Sequence, residues 1–126
     1  DSGVLNSEQF DQQLRQIVAE TLTLGIIPVL STFPASIEAD TWPQAARFNT
    51  IIVRVAADQH VPLINLWAAA QSLPGGGLSD DHAHLTVSGE RLNLAAGYES
   101  LYGVSLQNLL ALALLDELRR VIIQPG

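Results

Sequence analysis

The stretch Ser79-Asp80-Asp81-His82-Ala83-His84-Leu85-Thr86 sets two carboxylates and two imidazoles in five consecutive positions. A histidine works as a general base when a partner fixes its tautomer and stabilises the imidazolium it becomes, and a carboxylate three residues earlier in a tight loop reaches Nδ1. Asp81 and His84 have that spacing, D-x-x-H, whereas three residues after Asp80 stands Ala83. The loop follows three glycines, Gly75 to Gly77, and functional loops gather at the carboxyl ends of parallel strands. Two other readings of the same residues stand beside this one. In the first, the segment is a polar surface loop whose aspartates cap turns and whose histidines are solvated. In the second, Asp80, His82 and His84, alternate residues that face one way on an extended segment, hold a metal.

The elements that must position this loop are readable from apolar spacing. Phe10, Leu14, Ile17, Val18 and Leu22 recur at helical intervals, so residues 6 to 24 form an amphipathic helix with Asn6 as N-cap and Gly25 in the C′ position. IIPVLS, residues 26 to 31, reads as a short buried strand, with Pro28 pushing it toward a strand end. A second helix runs from Trp42 to Asp58 with Pro43 in its first turn, and VPLINLW, residues 61 to 67, is a second apolar strand. A final helix covers 105 to 121, with Ser105 at its N-cap and Arg119 and Arg120 near its C-terminus, where cations suit the macrodipole. Helix, strand, helix, strand, with both strands apolar throughout, predicts a parallel sheet covered on both faces. Two strands alone leave their outer edges and much of their faces bare. Further strands are therefore expected upstream, and the apolar surface left for them would favour association.

The 126 residues suit one domain, and neither an internal repeat nor a low-complexity tract appears. Thirteen acidic residues against six arginines and no lysine give a net charge of −7, which excludes nucleic acid and anionic membrane surfaces as expected partners. The most apolar run, Leu109 to Leu115, is followed at once by Asp116 and Glu117, so no membrane span is expected. The opening DSGVLNSEQF has neither the basic start nor the apolar core of a signal peptide, and a mature secreted protein would look the same. With no cysteine there is no disulfide, thiolate chemistry or Cys-based metal site, and the compartment stays open.

SDDHAHLT resembles the D-x-x-H block of the SGNH (GDSL-type) hydrolases, often D-G-x-H-L-T or D-G-x-H-P-S. GIIPVLSTFP is similar to the strand and loop after the family's third block, FNTIIVRVAADQHVPLINLWAA to the next helix and strand, and SLYGVSLQNLLALALLDELRR to the closing region of one bacterial branch. The resemblance implies a three-layer, flavodoxin-like α/β fold, seen here as the C-terminal portion of the domain. It implies an esterase or acylhydrolase acting on a small-molecule, carbohydrate or lipid ester without metal or organic cofactor. His84 would be the general base that activates a serine, and Asp81 would orient it. The serine, the second-block glycine and the third-block asparagine would lie upstream of Asp1, itself the last letter of the third block. The 126 residues alone would then be inactive, with the upstream part of the same domain as partner. Asp1-Ser2 as the tail of the nucleophile block is the lesser reading, since an elbow needs a strand before it.

The chain departs from the family in carrying His82 where glycine usually follows the aspartate, and Asn65 where many relatives have aspartate. Asn65 reads as a structural substitution and His60 as a solvated helix-end residue. Phe33 and Trp42, and likewise Tyr98 and Tyr102, suit either an acyl pocket or packing. A noncatalytic binding or structural module is the alternative from another class.

Overall fold

In a computed structural model, residues 6–89 and 95–123 are described. They are mostly helical: α1 (Ser7–Thr23), β1 (Leu30–Ser31), α2 (Trp42–Gln59), β2 (Leu63–Ile64), α3 (Leu66–Ala70) and α4 (Gly103–Leu118), with short 3₁₀ turns at Pro74–Gly77 and Tyr98–Ser100 and a π-helical turn at Arg119–Ile123. The described residues form two compact units, one of residues 6–33 and 37–65, the other of 34–36, 66–89 and 95–123.

In the first unit, α1 starts where the Asn6 side chain accepts from Gln9 N–H and the Gln9 side chain answers the Asn6 N–H, a reciprocal capping box. It ends at Gly25, whose φ of +76° reverses the chain. α2 has Pro43 in its first turn and ends at His60, an exposed left-handed C-cap. Val18 of α1 and Ile51, Val55 and Ala56 of α2 make the core with Val61, and Phe10 and Phe48 meet at 4.7 Å between ring centroids. Each of Val18, Ile51, Val55 and Val61 taken from water contributes roughly 1.5–3 kcal/mol. Arg15 bridges Asp11 on its own helix and Asp58 on α2, and Arg54 reaches Asp11 from the other side.

β1 and β2 pair in parallel, Leu30 with Leu63 and Ser31 with Ile64. They are the two strands among the described residues, and each is two residues long. The expected three-layer, flavodoxin-like sheet is therefore wrong for this structure. An apolar run predicts a strand over its whole length, but Pro28 and Pro62 have no N–H to give a ladder, and the second run turns into α3 at Leu66. Ile26, Ile27 and Val29 are exposed instead of covered. After Ser31 the edge is closed by a side chain: the buried carboxamide of Asn49 accepts from Phe33 N–H at 3.0 Å and donates to Phe33 C=O at 2.7 Å. Thr32 Oγ1 donates to Asn65 Oδ1 at 2.9 Å, so Asn65 ties the ends of the two strands, the structural part expected of it.

In the second unit, α3 and the Pro74–Gly77 turn pack on α4 around Leu66, Ala70, Leu73, Leu78 and Leu106. α4 begins two residues before the expected start. Its N-cap is Tyr102, which supplies no side-chain cap, and Ser105 is buried within the first turn. No helix among the described residues is long and apolar enough to cross a membrane.

Candidate functional site

Gly75, Gly76 and Gly77 all take positive φ, +61°, +65° and +77°, a run that side-chain-bearing residues rarely adopt. It turns the chain so that Leu78 bridges Leu85 in antiparallel fashion, with Ser79 N–H donating to His84 C=O at 2.8 Å. The loop between these ends is the Asp/His cluster. Its base is fastened by Thr86. The Thr86 N–H and hydroxyl donate to Gly77 C=O, its hydroxyl oxygen accepts from Gly103 N–H at 2.8 Å, and its carbonyl accepts from Val104 N–H at 3.0 Å. One threonine thus serves the first two free N–H groups of α4, the task expected of Ser105. The fit is close: a Cβ on Gly103 would meet Gly77 C=O and lie 2.8 Å from Leu85 Cδ2.

Within the loop, Asp81 Oδ1 accepts from the N–H groups of Ala83 and His84, each at 3.0 Å, and Asp81 Oδ2 lies 2.6 Å from His84 Nδ1. The carboxyl pKa falls well below the usual range, chiefly through the His84 N–H, then the His84 ring and the Ala83 N–H. Asp80 takes part in none of these bonds. Because Nδ1 faces the carboxylate, Nε2 is the nitrogen left for chemistry, on a side chain 84% exposed. His82 has φ +56°, so glycine's usual place in the D-G-x-H pattern falls on a left-handed residue. That conformation also breaks the extended segment which a site of Asp80, His82 and His84 needs. Among the described residues no three His, Asp or Glu side chains are grouped to hold a metal ion.

A cleft of about 380 Å³ opens beside His84, bounded on the loop by Leu85 and Val87 and on α4 by Val104, Gln107 and Asn108. None of these carries a hydroxyl or thiol. Tyr98 and Tyr102 pack edge to face at 5.6 Å and, like Phe33 and Trp42, do not line it. A larger cleft of about 660 Å³ lies between α1 and α2, lined among others by Glu8, Asp11, Arg47 and Arg54, and part of its charge is already paired through Asp11. Asp1 and Ser2 lie outside the described residues. Sequence reasoning missed Thr86 as the fastening of the loop, although it stands in the quoted block; nothing in the sequence marked Gly103. No family model, curated protein or solved structure matches the chain.

Proposed function

We propose that Asp81 and His84 are the acid–base pair of a serine ester hydrolase, the activity implied by the resemblance of SDDHAHLT to the SGNH block. The observation that carries this reading is the 2.6 Å contact from Asp81 Oδ2 to His84 Nδ1, made by a carboxylate whose other oxygen is fixed by two backbone N–H groups. That arrangement sets the tautomer and leaves Nε2 as the base. His84 takes the serine proton as the oxygen attacks the ester carbonyl, and gives it to the departing alcohol. It then takes a proton from the water that cleaves the acyl-serine and returns it to the serine. Asp81 stays ionised and stabilises the imidazolium. The positive φ at His82 supports the same reading, because it suits the glycine of the family pattern. None of the described residues lining the cleft beside His84 is a serine, threonine or cysteine, and the resemblance implies that the serine belongs to a block upstream of Asp1.

The test is fluorophosphonate labelling and p-nitrophenyl ester hydrolysis by the protein expressed from its native reading frame, with His84→Ala beside it. Labelling of a serine preceding Asp1, with hydrolysis lost by about 10³-fold or more in the variant, is the expected result. Hydrolysis by the isolated 126-residue chain, or none by the longer protein, overturns the assignment.

A noncatalytic module is the second reading, and the exposure of the His84 side chain favours it, since acid–base catalysis is strongest where water is excluded. On that reading Asp81 only closes the loop, and the longer protein takes no label.

A further inference from the structure

The walls of the cleft beside His84 restrict what it can hold. Val104, Gln107 and Asn108 stand at i, i+3 and i+4 on α4 and so share one face. Leu85 and Val87 flank them from the loop, with His84 among the lining residues. Among the described residues the lining is four aliphatic side chains, Ala83 included, two carboxamides and one imidazole, with no carboxylate, guanidinium or ammonium. A charged ligand finds no counter-ion among them. A neutral ligand with an apolar portion and one carbonyl finds both an aliphatic wall and an N–H donor, the combination that small-molecule sites commonly present. At roughly 30 Å³ per small heavy-atom group, about 380 Å³ holds about a dozen such groups at most.

We infer that this cleft is the acyl subsite of the His84 site and takes the aliphatic acyl group of a neutral ester, up to about a dozen heavy atoms with the ester group on that same volume reckoning. Leu85, Val87 and Val104 cover the chain, and Gln107, exposed on the rim of α4, donates to the ester carbonyl. The inference rests on the hydrolase reading for the word acyl, but the binding itself does not require turnover.

Ethyl butyrate titrated into the 126-residue chain carrying ¹³C-methyl leucine and valine tests it. Saturable shifts are expected at the methyls of Leu85, Val87 and Val104, with the core methyls of Val55 unmoved. Val104→Trp should remove the shifts. Gln107→Leu, an exposed change that leaves the packing alone, should weaken binding about three- to tenfold by loss of one hydrogen bond. Absence of saturable shifts, equal binding by Gln107→Leu, or shifts confined to other exposed leucines such as Leu112 overturns the subsite. Binding at the cleft without hydrolysis by the longer protein leaves the subsite standing and removes the catalytic reading. Hydrolysis without binding at the cleft does the reverse.

Discussion

Asp81 holds three partners on two oxygens, and its ionised form is what they favour. A carboxylate with a depressed folded-state pKa contributes stability that is present above its unfolded value, about 3.9, and is lost as pH falls through the folded one. Asp81→Asn should therefore lower the melting temperature at neutral pH, and the gap from the wild type should shrink as the pH is taken below about 4. The carboxyl-carbon resonance of Asp81 checks the same point, its midpoint expected below the ordinary carboxylate range. At the next position, the left-handed backbone of His82 makes residue type matter through φ alone. His82→Gly should stay within about 1 kcal/mol of the wild type, because relief of strain is offset by greater freedom in the unfolded chain. His82→Val should lose about 1–2 kcal/mol in denaturant unfolding, since a branched Cβ crowds that conformation.

Two elements depend on polar groups that come from elsewhere in the sequence. The carboxamide of Asn49, fully buried on α2, stands in for a strand partner at Phe33. Asn49→Ala removes both bonds and strands two backbone groups, so a loss of about 2–4 kcal/mol is expected by chemical denaturation. Helix α4 takes its cap from Thr86, and Thr86→Val, equal in shape but without the hydroxyl, should cost about 1–2 kcal/mol. Such dependences explain what could be read from the sequence and what could not. The start of α1 at Asn6, its stop at Gly25 and the start of α2 near Pro43 were legible because each signal acts over a few residues. The D-x-x-H spacing selected Asp81 over Asp80 for the same reason. Strand length was not legible: an apolar run looks alike whether or not a neighbour pairs with it, and IIPVLS pairs over its last two residues. Nor was the start of α4, since Ser105 is a good cap by type but a residue 19 positions upstream holds that end.

Taken whole, the described residues form two units, each with its own small core and each showing apolar side chains to solvent. Ile17, Leu24, Ile26 and Ile37 are exposed in the first, and Leu109, Leu112, Leu115 and Val121 in the second. The folded chain is expected to bind a hydrophobic dye at neutral pH, and Leu112→Glu with Leu115→Glu should lower that fluorescence without loss of helical circular dichroism. Stability is also unevenly divided in time. Because the glycine turn, the Asp/His loop and the first turn of α4 are all fastened to Thr86, none of them has a way to open by itself. The amides of Thr86, Gly103 and Val104 should exchange with solvent deuterium at a common opening rate, so the candidate site comes apart in a single event rather than fraying from its exposed edge.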